Sequence, residues 1–192
     1  MLEKEVDNAS ADRGNNGQAI DAAASRADDM FAKMCKKFKS KKTVWIARLK
    51  YLLKGARHEE AHALLKRSLG SLPAYKHVET MSKFAQMEFE YGSTERGRTI
   101  FDTLLEKHPK RLDLLFVYVD KEVKNDEIEA ARNVFESVIK QTNDDGRKFK
   151  FSDKQMKSLF KKWYRIEEEH GDSRSQEHVK SAARAYVEKS TS

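Results

Sequence analysis

A repeat of 34 residues is the feature that most constrains how this chain can fold. Between residues 76 and 141, similar side chains recur at this spacing: Phe84 and Tyr118, Glu88 and Glu122, Arg98 and Arg132, and Phe101 and Phe135. A fixed period of this length is typical of stacked two-helix units. The period therefore predicts an all-α fold, which we expect to be a right-handed α-solenoid of antiparallel helix pairs.

Repeat units can be followed along most of the chain, which predicts one repeat domain over residues 20–192. Residues 1–19 hold few large apolar side chains, so we expect a flexible N-terminal segment there. Within the domain, apolar periodicity predicts an orphan helix over 20–39 and four helical hairpins over 43–72, 76–108, 111–141 and 152–189. Pro73 and Pro109 separate hairpins because proline cannot continue a helix.

Several predicted helix ends carry local signals. Gly55 follows the first helix of the hairpin over 43–72, where a left-handed residue is expected. Ser152 and Gln155 have the spacing of a capping box, in which two side chains satisfy free backbone N–H groups at the start of a helix. Asp126 and Glu129 have the same spacing, so the sequence predicts a capping box at each position.

The predicted hairpins share a set of core and charged positions. We expect one large side chain to be buried from each first helix, at Leu49, Phe84, Tyr118 and Trp163, and from two second helices, at Phe101 and Phe135. Glutamates recur on first helices at Glu88, Glu122 and Glu167, and arginines on second helices at Arg98, Arg132 and Arg184. We interpret these charges as ion pairs that set helix register; a row of ligand-binding charges is the alternative.

Basic residues outnumber acidic ones and give a formal net charge of +7. Two runs are richest: residues 33–54 hold nine basic side chains and no acidic one, and residues 147–165 hold eight and one. Such a surface can bind the phosphates of a nucleic acid, or it can serve only to keep the protein in solution. The candidate contacts to RNA or a partner are Lys36, Lys37, Lys39, Lys41, Lys42, Lys110, Arg111, Arg147, Lys148 and Lys150.

One short motif points to catalysis. The segment 58–62 reads H-E-E-A-H and matches H-E-x-x-H, in which two histidines bind zinc and the glutamate activates water. Ala61 falls at a regular core position of a repeat helix, however, and no companion signature supplies a third ligand. We therefore expect no enzymatic activity, no cofactor, no metal and no small-molecule substrate; a zinc hydrolase is an alternative that rests on this motif.

Two further features bear on the setting of the chain. Cys35 is the single cysteine, which excludes an internal disulfide and suits a reducing compartment. The sequence has no apolar run of about 20 residues, so we expect no membrane insertion.

The repeat sequences resemble a known type of helical repeat. A first helix with an aromatic residue followed by glutamate, and a second helix reading R-T-I-F at 98–101 or A-R-N-V-F-E at 131–136, is similar to half-a-TPR (HAT) repeats, which are TPR-like and occur mainly in RNA-handling proteins. The runs 64–69, 82–86, 95–101 and 108–114 resemble the C-terminal repeat region of the ribosomal RNA processing protein 5 family. The resemblance covers residues 27–189.

This resemblance implies a nucleolar, non-enzymatic scaffold that supports pre-ribosomal RNA processing. Its implied partners are pre-ribosomal RNA, the U3 ribonucleoprotein and proteins of the small-subunit processome. Two positions depart from the pattern, because Leu115 and Phe116 stand where a tryptophan is expected and Leu53 replaces a first-helix glutamate. The alternative is a HAT-repeat scaffold of mRNA splicing or 3′-end processing.

Overall fold

The computed structural model describes residues 21–143 and 151–191, with side chains described over 21–141 and 151–189. Over these ranges the chain is all-helical, as predicted, and contains no β-strand. The predicted flexible segment 1–19 lies outside the described residues. The helices are α1 (21–37), α2 (Lys42–Lys54), α3 (His58–Ser71), α4 (His77–Tyr91), α5 (Thr94–Lys107), α6 (Leu112–Lys124), α7 (Ile128–Asn143), α8 (Asp153–His170) and α9 (Ser173–Thr191).

The chain divides into two compact units, the first ending at Thr80 and the second beginning at Met81, so that α4 contributes to both. In the first unit, α2 packs against α3, and the two helices bury leucines that include Leu49 and Leu64. A 3₁₀ turn, Ala74–Lys76, joins α3 to α4. A single repeat domain over residues 20–192 stays a prediction. In the described ranges, no helix has both the length and the apolar character needed to cross a bilayer.

The first helix is held to the rest of the first unit by an aromatic contact and an ion pair. The ring centroids of Phe31 and Tyr51 lie 5.1 Å apart, and the Tyr51 hydroxyl donates to the carbonyl of Ala24 at 3.3 Å. Arg57, just before α3, donates to both carboxylate oxygens of Asp28, at 2.9 and 2.7 Å. The helix that the sequence left without a partner is thus tied to α2 and to the start of α3.

In the second unit, α6 packs against α5, α7 and α8, and α8 also packs against α7 and α9. The buried side chains form a cluster that includes Leu115, Phe135 and Trp163. Rings stack between helices: Phe101 lies on Tyr118 with centroids 4.9 Å apart, and Phe135 lies on Trp163 at 5.5 Å. These contacts bury the large residues on which the repeat period rests.

The helix ends confirm one local prediction and correct two. Ser152 and Gln155 form the predicted capping box at the start of α8. The left-handed residue after α2 is Ala56, with φ 54°, whereas Gly55 has φ −88°. Asp126 is also left-handed, with φ 63°, and α7 begins two residues later, so the predicted box with Glu129 is wrong.

Both left-handed residues follow from the same hydrogen-bond pattern. The N–H of Ala56 bonds to the Leu53 carbonyl at 3.0 Å, and the next N–H bonds to the Leu52 carbonyl at 2.9 Å. Asp126 and Glu127 repeat the pattern with bonds of 3.0 Å each. This is the Schellman arrangement, which requires positive φ at the residue after the helix cap, whatever its side chain.

Candidate nucleic-acid interface

A basic cavity of about 550 Å³ opens on the first unit, among residues of α1, α2, α3 and the turn between α1 and α2. Its charged lining consists of Lys36, Lys39 and Arg67, and no acidic residue lines it. Cys35 and Trp45 also line it and are only 4% and 3% exposed, so they form its buried wall. Because three positively charged side chains line the cavity and no carboxylate does, the cavity is complementary to a negatively charged ligand.

The segment between α1 and α2 is held in place by hydrogen bonds to its backbone. The indole N–H of Trp45 donates to the Lys39 carbonyl at 2.9 Å. The ammonium of Lys76 donates to the Ser40 carbonyl, also at 2.9 Å. These bonds hold the backbone from which the Lys39 side chain extends toward the cavity.

Two aromatic side chains near this segment are exposed. Tyr75 is 80% exposed and Phe38 is 41% exposed. A lysine ammonium lies over each ring: Lys76 over Tyr75 and Lys37 over Phe38, both 5.5 Å from the centroid. Exposed rings beside cations are the arrangement with which proteins bind single-stranded nucleic acid, because bases stack on the rings while cations meet phosphates.

Four of the five predicted contact lysines in this region are exposed: Lys36, Lys37, Lys39 and Lys41. Lys42 instead forms a salt bridge with Glu79, which neutralises its charge. That these lysines contact RNA stays a prediction.

The other predicted contacts are placed differently. Lys110 and Arg111 are exposed in the second unit, and Arg111 donates two hydrogen bonds of 2.7 Å to Asp113. These bonds lower the pKa of the Asp113 carboxyl, so the pair is ionised and the charge of Arg111 is offset. Arg147, Lys148 and Lys150 lie outside the described residues.

Sequence reasoning missed Arg67, Tyr75 and Lys76 as members of this surface. Arg67 stands on the second helix of its predicted hairpin, far in sequence from the lysines that it joins. Tyr75 lies between two predicted hairpins, and Lys76 is the first residue of the hairpin predicted over 76–108, so neither falls within an apolar helical stripe. An aromatic residue next to lysine in a linker was the one available signal.

The repeated charges lie between helices of the second unit. Arg98 donates from Nε and Nη2 to the two carboxylate oxygens of Glu122, each at 2.8 Å. Arg132 donates in the same way to Glu167, at 2.9 and 2.7 Å. Each pair joins a second helix to the first helix of the following predicted hairpin.

The remaining repeated charges have other surroundings. Glu88 is 3% exposed and accepts a hydrogen bond from the backbone N–H of Ser93 at 3.1 Å. Arg184 is 67% exposed and donates from Nη1 to Glu177 on its own helix at 3.1 Å.

The carboxylate of Glu167 is the most fully satisfied of these groups. It is 1% exposed, and burial by itself would raise its pKa. Hydrogen bonds from Arg132 and Trp163 outweigh burial and lower the pKa of Glu167 below the usual glutamate value. The group is therefore ionised in the fold and joins α7 to α8.

The H-E-x-x-H motif lies at the start of α3. Ala61, within it, is fully buried. Among the residues that the structure describes, no group of three or more histidine, cysteine, aspartate or glutamate side chains is arranged to hold a metal ion.

Comparison with known proteins gives relatives for most of the chain, although no protein-family model matches it. The chain is 42% identical over 166 residues to the rRNA biogenesis protein rrp5 of Schizosaccharomyces pombe, an alignment that covers 86% of the chain and 9% of that protein. It is 36% identical over 166 residues to the Protein RRP5 homolog of Mus musculus, covering 86% and 8%. The rRNA biogenesis protein RRP5 of Arabidopsis thaliana is 36% identical over 162 residues, covering 84% and 8%. The chain is thus related to one region of the RRP5 proteins and spans about a tenth of their length.

Proposed function

We propose that this chain is a non-enzymatic helical scaffold in ribosomal RNA biogenesis, and that its first unit binds pre-ribosomal RNA. The observation that carries the proposal is the basic cavity, which gathers Lys36, Lys39 and Arg67 without an acidic neighbour in its lining. The relatives support the process, because their names assign them to rRNA biogenesis. The work of such a scaffold is to hold RNA and protein together, which needs binding surfaces rather than reacting groups.

The proposed binding mode uses both the basic cavity and the two exposed aromatic rings. Phosphates of a single-stranded RNA segment occupy the cavity and meet its three cations, while bases stack on Tyr75 and Phe38. Phosphate contacts release counterions, so affinity should fall as salt rises. Base stacking depends less on salt and is tolerant of sequence.

The second unit supplies the scaffold part of the proposal. Its helices would form antiparallel hairpins of a right-handed α-solenoid of HAT repeats, whose surface receives protein partners. Packing of α6 against both α7 and α8 supports stacking of successive repeats. The partners that we propose are the U3 ribonucleoprotein and proteins of the small-subunit processome, and the compartment is the nucleolus.

Fluorescence anisotropy with a labelled single-stranded RNA, measured at several salt concentrations, tests the RNA-binding part. The triple variant Lys36→Glu, Lys39→Glu and Arg67→Glu should weaken binding at least about tenfold at ~0.1 M salt. It should also reduce the slope of log affinity against log salt by about 2, because three phosphate contacts are lost. Tyr75→Ala should weaken binding by about 1–3 kcal/mol at all salt concentrations.

A matched control separates local contacts from overall charge. Lys107→Glu, Lys124→Glu and Lys140→Glu make the same change in net charge at exposed positions of the second unit. If the control triple weakens binding as much as the cavity triple, or if the cavity triple binds normally, the cavity is not the RNA site. Crosslinking of the full-length protein in cells tests the process: pre-ribosomal RNA should be recovered, and recovery of messenger or small nuclear RNA instead would contradict the proposal.

A further inference from the structure

The second unit repeats one two-part contact between a helix and the next. Between α5 and α6, the Nε–Nη2 edge of Arg98 binds the carboxylate of Glu122, with both distances 2.8 Å. Three residues after Arg98, the ring of Phe101 stacks on Tyr118, with 4.9 Å between centroids and 11° between planes. Helix α6 therefore contributes an aromatic residue, Tyr118, and a glutamate four positions later, Glu122.

The same contact recurs between α7 and α8. The Nε–Nη2 edge of Arg132 binds Glu167 at 2.9 and 2.7 Å, and Phe135 stacks on Trp163 at 5.5 Å with the same 11° between planes. The spacings are also the same: arginine and the apolar residue are three apart, and the aromatic residue and glutamate are four apart. The same two-part contact therefore joins α5 to α6 and α7 to α8.

Helix α9 carries the arginine half of this contact on its surface. Arg184 is 67% exposed, and three residues later Val187 is 56% exposed. Arg184 donates from Nη1 to Glu177 on its own helix. Arg98 and Arg132 likewise donate from Nη1 to a glutamate on their own helices. In those two, the other edge of the guanidinium binds the next helix; for Arg184, no carboxylate of the described residues bonds that edge.

We propose that this face of α9 docks a helix of a partner protein, and that this helix presents an aromatic residue followed four positions later by glutamate. The aromatic ring would lie on Val187, and the carboxylate would take the Nε–Nη2 edge of Arg184 in a bidentate pair. Charge complementarity selects an acidic residue at that position of the partner helix. The bond of Arg184 to Glu177 need not break, because it uses Nη1.

The test uses the whole chain and a labelled peptide that copies residues 152–171, which holds the aromatic–glutamate pair of α8 together with its capping box. Anisotropy should report saturable binding. Arg184→Glu in the chain should weaken binding at least about tenfold, because hydrogen bonds between charged groups are the strong ones. A peptide with Glu167→Arg should bind the Arg184→Glu chain better than the unchanged peptide does. Arg184 is exposed, so its substitution should leave the fold intact.

Arg174→Glu is the matched control, since it reverses one exposed charge elsewhere on the same helix. Equal weakening by both substitutions, failure of the charge-reversed peptide to restore binding, or no peptide binding at all would overturn the proposal. Sedimentation of the chain alone tests the other occupants: dimerisation that Arg184→Glu abolishes would assign this face to a second copy. RNA binding that Arg184→Glu weakens would assign it to nucleic acid, and either result would overturn the proposal.

Discussion

Arg132 on α7 and Glu167 on α8 form two parallel hydrogen bonds, of 2.9 and 2.7 Å, across the interface between these helices. The indole N–H of Trp163 donates to the same carboxylate at 3.0 Å, so one acceptor serves three donors. The arginine is 25% exposed and the glutamate 1%. An ionised carboxylate this deeply buried destabilises the fold unless its partners are in place. The pair therefore makes the packing of α7 and α8 depend on both side chains.

Arg132→Met should therefore destabilise the fold by about 3–5 kcal/mol, because it leaves the Glu167 charge buried without its main partner. Adding Glu167→Gln should recover part of this loss, since the amide carries no charge. The free energies of unfolding from urea titrations of the two single variants and the double variant give the coupling between the residues, expected to be about 1–3 kcal/mol.

The pair Arg165 and Glu169 is the matched control, with side chains 73% and 51% exposed and a distance of 2.9 Å. Arg165→Met should leave the free energy of unfolding unchanged within error, because water solvates both charges. Similar losses at Arg132 and Arg165 would show that burial does not decide the value of these pairs.

The period of the sequence picked out the four residues of the two ion pairs between helices, but not which arginine bonds to which glutamate. Arg98 and Glu122 recur as Arg132 and Glu167, and recurrence is readable because each copy occupies an equivalent position. Each arginine bonds to a glutamate of the next predicted hairpin. This choice depends on how the helices stack, and the spacing of residues within one hairpin does not predict it. The left-handed position at Ala56 was missed for a related reason, because the Schellman hydrogen bonds, rather than the nearby glycine, decide it.

The candidate RNA surface shows where sequence reasoning stops. Runs of lysine are visible in the sequence, so Lys36 and Lys39 were predicted. Arg67 has only Lys66 beside it and Tyr75 has only Lys76, so neither belongs to a long basic run, and only folding brings Arg67 to the cavity. Conversely, Lys42 belongs to the run but pairs with Glu79, a contact 37 residues away in the chain.

Two helical glycines should respond in opposite directions to alanine. A Cβ at Gly97 would lie 2.5 Å from the ring of Phe89 and 3.2 Å from the Ala85 carbonyl, whereas a Cβ at Gly70 would meet nothing within 4 Å. Gly97→Ala should destabilise by about 1–3 kcal/mol through overpacking, since Phe89 is buried. Gly70→Ala should stabilise by about 0.5–1 kcal/mol through helix propensity. Thermal and urea unfolding measure both; stabilisation by both substitutions would show that α4 and α5 separate easily.

Phe135 should be one of the most sensitive core positions. It is fully buried and stacks on Trp163, so Phe135→Ala should cost about 3–5 kcal/mol in the free energy of unfolding. The same substitution at Phe38, which is 41% exposed, is the control and should have a much smaller effect. Near-ultraviolet circular dichroism of the indole gives a second readout, because loss of the stacked ring changes the surroundings of Trp163. An unchanged indole signal together with a small stability loss would contradict the packing described here.

The lowered pKa of Glu167 predicts how stability depends on pH. Its folded pKa lies below the unfolded value of 4.5, so its ionised form stabilises the fold fully above pH 4.5, and this contribution is lost as pH falls through the folded pKa. Glu167→Gln should therefore be less stable than the unchanged chain at neutral pH, and the difference should shrink as the solution is acidified below about pH 4.5. Urea titrations between about pH 7 and pH 3 measure both proteins. Glu168→Gln removes an exposed carboxylate from the next position and should give a curve parallel to that of the unchanged chain. The two chains could instead differ in free energy of unfolding by the same amount down to pH 3. That result would mean that the charge of Glu167 does not stabilise the fold.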